Sequence, residues 1–193
     1  MKIDAIWQAP FQQQVFRQLV SAQSRPGTVA TMPDCQVEKA ILAALVDQES
    51  SLADPDNLLT ERDWQRLGVR REQPEAAAFV VLDGDRQPTF EPRLGTLASP
   101  EFGATLILKI QALTGGEVTY RLTGPGVKGG GEFAPAGLNP AWLDKRDDWN
   151  GQFPLGVDFI LCAGDSFLAL PRTTQVTAIC TTNGHECTGF RVS

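Results

Sequence analysis

Residues 105–131 read TLILKIQALTGGEVTYRLTGPGVKGGG, and the topology of the chain depends on how this stretch is divided. Two runs rich in β-formers, Thr105–Ile110 and Val118–Leu122, flank the pair Gly115-Gly116, the pattern of neighbouring antiparallel strands joined by a turn. Behind the second run, Gly124, Gly126 and Gly129 fit the G-x-G-x-x-G spacing that cradles a dinucleotide pyrophosphate. That spacing carries chemistry only between a strand and a helix, because the helix N-terminus supplies the field and the free N–H groups. Here the glycines follow a hairpin arm and lead into EFAPAGLNP (132–140), which has two prolines and no apolar periodicity. The next helix starts at Asn139, with Pro140 at its first position, and runs to about Trp149, too late to receive a phosphate. Gly124–Gly131 is therefore a loop, and since no Gly-Lys-Ser/Thr occurs anywhere, it is not a Walker A loop either.

Upstream, Phe11 to Ser24 places Phe11, Val15, Phe16, Leu19 and Val20 on one side at helical spacing, and Pro26 stops the helix. Asp34 stands before a second pattern, Val37, Ile41, Ala44 and Leu45, as its expected N-cap. Thr60 with Asp63 makes a capping-box start for a short helix carrying Trp64 and Leu67. AFVVL (78–82) followed by DGD is a buried strand and its turn. Downstream, GVDFILC (156–162) and SFLALP (166–171) flank Ala163-Gly164-Asp165 as a second hairpin, both arms almost continuously apolar. Such arms suit strands covered on both sides. The expected fold is α/β, a mixed sheet covered by helices on both faces, formed as one domain over residues 1–180, with the polar residues 181–193 as a loosely held tail.

The 193 residues are 42% apolar and 21% charged, an ordinary globular balance. Acidic residues exceed basic ones by 23 to 17 and no Lys/Arg run forms a cationic stripe, which argues against nucleic acid as a partner. Asp4, Gln8 and Pro10 interrupt what a secretory signal needs unbroken, and AILAALV (40–46) is far too short to span a bilayer. The chain is accordingly placed in the cytoplasm, away from membranes, with Cys35, Cys162, Cys180 and Cys187 as reduced thiols.

His185, the sole histidine, lies in the tail, so Ser-His or Cys-His catalysis is disfavoured. Cys180, His185 and Cys187 are irregularly spaced and lack a fourth ligand, a poor zinc set. Pyridoxal phosphate needs a Schiff-base lysine. Lys39, Lys128 and Lys145 are expected at exposed positions, and Lys109, inside a strand, is the one candidate, although a strand lysine usually faces solvent. Asp158 interrupts an apolar strand and must find a partner. Arg172, just beyond the return strand, is spaced to supply it, so the two are expected to form a structural ion pair. Trp7, Trp64, Trp142 and Trp149 share no period and are assigned to packing.

Taken in order, FRQLVSAQSRPGTV (16–29), LASPEFGATLILKI (97–110), LTGPGV (122–127), FPLGVDFIL (153–161) and LALPRTT (168–174) resemble the PhnH family, the H subunits of the phosphonate carbon-phosphorus lyase core complex. The similarity runs from about Phe11 to Thr174. It implies an α/β fold similar to a reduced pyridoxal-phosphate transferase, without the lysine and without the cofactor. It also implies a role beside the G, I and J subunits in cleaving unactivated phosphonates as a phosphorus source. J-type subunits resemble radical S-adenosylmethionine enzymes, and this chain has no closely spaced cysteine triplet for such a cluster. By matching position, Gly124, Pro125 and Gly126 with Pro171, Arg172, Thr173 and Thr174 are the motifs that would serve as an interface or ligand loop. The expected protein is thus a non-catalytic subunit, a homodimer in isolation, with no catalytic, cofactor or metal residue assigned. Two other classes stay open, an enzyme binding pyridoxal phosphate or a nucleotide, and a module binding a small phosphonate or nucleotide through Arg172 and the Gly-rich loop.

Overall fold

A computed structural model describes residues 5–179. Cys180 and the expected tail 181–193, with His185 and Cys187, lie outside the described residues. The apolar runs form a seven-stranded sheet from β1 (Ala30–Thr31), β2 (Ser51–Ala53), β3 (Arg70–Arg71), β4 (Phe79–Asp83), β5 (Thr105–Lys109), β8 (Asp158–Ala163) and β9 (Ser166–Leu170). Their order is β1-β9-β8-β5-β4-β2-β3. Neighbours from β3 through to β8 are parallel, while β9 is antiparallel to both β8 and β1, so the sheet is mixed.

The period of two along the inner strands sorts their side chains between two cores. Val80, Leu82, Leu106, Leu108, Phe159 and Leu161 enter one. Val81, Ile107, Ile160 and Cys162 enter the other. The second core is closed by α1 (Ala9–Ser24), α2 (Val37–Leu45) and Leu67 of α3 (Glu61–Leu67). The first is closed by Trp142, Leu143 and Trp149 of α4 (Ala141–Trp149) together with a three-stranded sheet, β10 (Gln175–Ile179), β6 (Thr119–Thr123) and β7 (Glu132–Phe133), which contributes Tyr120, Leu122, Phe133 and Val176. Helices thus lie on both faces of the mixed sheet, as expected, with the difference that on one face a small sheet shares the cover with α4.

The expected hairpin of Thr105–Ile110 with Val118–Leu122 does not form. β5 pairs in parallel with β4 and β8, whereas β6 leaves for the second sheet and pairs with β10 and β7. Burial explains the separation. Leu106, Ile107 and Leu108 are buried on both sides of the strand, as a central parallel strand requires, while β6 buries only Tyr120 and Leu122. Between them, the N–H groups of Gln111 and Ala112 bond to the Ala136 carbonyl instead of crossing a hairpin. The second hairpin is present, with β8 and β9 antiparallel around Gly164 and Asp165.

Three local expectations also change. On α1, Val15, Leu19 and Ala22 are buried, but Phe16 and Val20 are about half exposed because the packed stripe is narrower than the apolar one. α2 is not capped by Asp34, whose backbone is left-handed. Its N-cap is Gln36, and the Val37 N–H donates to the Gly164 carbonyl of the β8–β9 turn. Lys39, expected in solvent, is partly buried and donates to Asp63 at 2.9 Å, tying α2 to α3.

The capping box of α3 forms as read, with Thr60 Oγ1 accepting from the Asp63 N–H at 3.2 Å and Asp63 Oδ2 accepting from the Thr60 N–H at 2.9 Å. Thr60→Ala is expected to cost about 1 kcal/mol in urea unfolding. Burial alone would raise the Asp63 carboxyl, but the Lys39 and Thr60 donors outweigh it and hold it below the usual carboxylate range. Its stabilisation is therefore full above the unfolded carboxylate's titration and is lost as pH falls through the lowered folded value. An Asp63→Asn chain should lose less stability than the parent over that acid window.

Candidate functional site

At the base of the β8–β9 hairpin, Phe159 pairs with Leu170, which brings Asp158 at the start of β8 beside Arg172. Asp158 Oδ1 accepts from the Arg172 backbone N–H at 2.7 Å, and Oδ2 accepts from Nη2 at 2.7 Å. Nη1 donates to the Pro100 carbonyl at 2.8 Å and the Pro154 carbonyl at 3.3 Å. One guanidinium thus fastens β8, the single-turn 3-10 helix Pro100–Phe102 and the loop after α4. Most of its donors are spent inside the protein.

The two family-like motifs meet although about fifty residues separate them. Gly124 has φ of 125°, and a Cβ there would lie 2.7 Å from the Thr173 carbonyl oxygen. Gly126 has φ of 80°, and its Cβ would collide with the Ser24 carbonyl at the end of α1. Both need glycine on conformational and steric grounds. Gly124→Ala is expected to cost about 1–3 kcal/mol, measured as a lower urea midpoint.

Beside them lies an open cavity of about 720 Å³, whose wall takes Pro125, Arg172, Thr173 and Thr174 from the expected set. It also takes Arg146 and Asp147 of α4, and then Asn150 and Phe153, none of which the sequence reading singled out. Arg146 was nonetheless legible. It falls on the helical stripe of Trp142, Leu143 and Trp149, where an arginine must be buried. It is 1% exposed, with Nη2 donating to the Pro171 carbonyl at 2.6 Å and its guanidinium carbon 5.8 Å from the Phe159 ring centre. Burial pulls its pKa down to about 10 against the opposing pull of Asp147 and Asp158, so it remains a cation at neutral pH. Asp147, at the cavity rim, is held above the usual carboxylate range chiefly by desolvation. Arg146 opposes that shift, and Asp144 and Asp148 add to it.

Lys109 sits elsewhere, at the C-terminal end of β5, half exposed, 3.7 Å from Glu38 and beside a cavity of about 320 Å³ shared with Asp83 and Asp85. Lys145 bonds to Glu91, which also accepts from the Trp149 indole, while Lys128 is exposed in its loop. Trp142 and Trp149 are buried around Phe159. Trp7 and Trp64 are half-buried beneath the Arg66 and Arg71 guanidiniums. Among the described residues, no group of three His, Cys, Asp or Glu side chains is placed to hold a metal ion, and no helix is long and apolar enough to cross a membrane.

Comparison with known proteins converges on one family. The model of the bacterial phosphonate metabolism protein PhnH matches residues 5–177. A Stutzerimonas stutzeri protein named putative C-P lyase subunit protein HtxG is 45% identical over 174 residues, covering 89% of this chain and 88% of that protein. The alpha-D-ribose 1-methylphosphonate 5-triphosphate synthase subunit PhnH of Rhizobium meliloti (strain 1021) is 30% identical over 179 residues, covering 85% of this chain and 89% of its own.

Proposed function

The chain belongs to the PhnH family of bacterial phosphonate metabolism proteins, and from that membership we propose that it is a non-catalytic subunit of a cytoplasmic carbon-phosphorus lyase core complex. The observation that carries this reading is that relatives matched over nearly their whole lengths are named as subunits, not as free-standing enzymes. The reaction named for the Rhizobium relative, synthesis of alpha-D-ribose 1-methylphosphonate 5-triphosphate, is the kind of step such a complex would perform on phosphonates. Within it this chain contributes surface to G-, I- and J-type neighbours, and on its own it forms a homodimer. Two features support a docking role. Leu97, Phe102 and Phe153 are large apolar side chains left exposed, and Arg172 ties the segments of the last two together through the Pro100 and Pro154 carbonyls, as an apolar docking patch would need. The Arg172 guanidinium is consumed in bracing the fold near them.

Kinship with pyridoxal-phosphate transferases is part of the same proposal, with the cofactor lysine lost. Lys109 is ion-paired instead of poised in an apolar pocket, and purified protein is expected to show no aldimine absorbance. The deciding experiment is co-expression with the other core subunits, followed by size-exclusion chromatography with and without this chain. Co-elution is expected, and separate elution at micromolar concentration would overturn the assignment.

A further inference from the structure

Folded proteins rarely leave buried polar side-chain atoms without partners, because such a group has lost water and gained nothing. Among the described residues four such atoms stand out, and three belong to residues that line the 720 Å³ cavity: Arg146 Nε, Asn150 Nδ2 and Thr174 Oγ1. They come from different parts of the chain, α4 with its C-cap and the segment entering β10, so no single local distortion accounts for them. Nε and Nδ2 only donate, and the hydroxyl is able to. Nη1 of Arg146 has Asp147 at 3.8 Å, beyond hydrogen-bond length. Three unmet donors thus gather among the lining residues, with the Asp147 carboxylate at the rim.

We infer that this cavity binds a small compound through an oxyanion, a phosphonate, phosphate or carboxylate group, held by Arg146, Asn150 and Thr174. This differs from the sequence expectation, in which Arg172 and the Gly-rich loop supply the donors. Arg172 Nε, Nη1 and one Nη2 hydrogen are already taken by Asp158, Pro100 and Pro154. The three unpartnered atoms are closed to solvent in the empty protein, so binding requires their side chains to turn toward the ligand, which exchanges an unmet donor for a charge-assisted bond. Arg146 keeps its charge to do so. Asp147 at the rim and Asp158 nearby offset that charge, so selection rests on donor geometry more than on net potential.

The test is thermal melting and calorimetry of the full chain with inorganic phosphate, methylphosphonate or acetate, against sodium chloride at equal ionic strength. At least one oxyanion should raise the melting temperature with dose where chloride does not, and the three arms identify which headgroup is preferred. Thr174→Val, nearly isosteric, should melt higher than the parent when empty, because it deletes an unmet hydroxyl, yet bind the oxyanion about tenfold more weakly. Asn150→Asp keeps the oxygen that accepts from the Val157 N–H but loses the donors, and should weaken binding at least as much. Arg146 is a poorer probe because its loss also frees the Pro171 carbonyl. No oxyanion effect beyond chloride, unchanged affinity in both variants, or a lower melting point for empty Thr174→Val would each overturn the proposal.

Discussion

Phe159→Ala is expected to remove about 3–5 kcal/mol of unfolding free energy, the range for deleting a fully buried aromatic ring. Phe159 has no exposed surface. Its ring meets Trp142 at 6.3 Å and Trp149 at 6.4 Å between centroids, both edge-on, the arrangement that ring quadrupoles favour. The same ring lies under Arg146, so the substitution opens a void between β8 and α4 where the helix is anchored. Urea unfolding should show a lower midpoint with an unchanged slope, and Phe159→Leu should lose less. A loss under about 1 kcal/mol for the alanine variant would mean that the aromatic cluster is not part of the core.

The second large effect is at the hairpin base. Asp158→Ala and Arg172→Ala should each cost about 2–4 kcal/mol, somewhat under the cost of breaking a fully buried pair because both side chains keep some contact with water. Arg172→Ala should be the worse of the two, since it also releases the Pro100 and Pro154 carbonyls. The double variant should lose less than the sum of the singles by about 1–3 kcal/mol. Additive losses would show that the 2.7 Å contact carries no coupling energy.

Features set by short-range chemistry were legible in the chain. The Thr60–Asp63 capping box, the β8–β9 hairpin and the absence of a helix directly after Gly129 each depend on residues close together in the chain. What misled was local plausibility without tertiary context. Gly115-Gly116 suggests a hairpin, yet both faces of Leu106–Leu108 are apolar and only one face of β6 is, and that contrast was readable. Asp34 was a sound cap by composition, but the N–H it was meant to serve is taken by Gly164, far away in sequence. The small sheet was hidden for the same reason, since β10 finds β6 only through long-range pairing. Near the cavity, Gly124–Gly126 and Pro171–Thr174 are each visible as motifs in the sequence, which does not show that they meet. Arg146, Asn150 and their nearness to Thr174 arise from the packing of α4, to which the one pointer was an arginine on an otherwise apolar stripe.

The pairing of Ala30 with Phe167 also bears on how this molecule comes into being. An early strand waits for one of the last, and β5 waits for β8 while α4 and most of the small sheet are made in between. Such distant closures make for slow maturation. During synthesis the nascent polypeptide carries bare β edges until β9 has left the ribosome, a period in which chaperone capture or early meeting with a companion would protect it from aggregation.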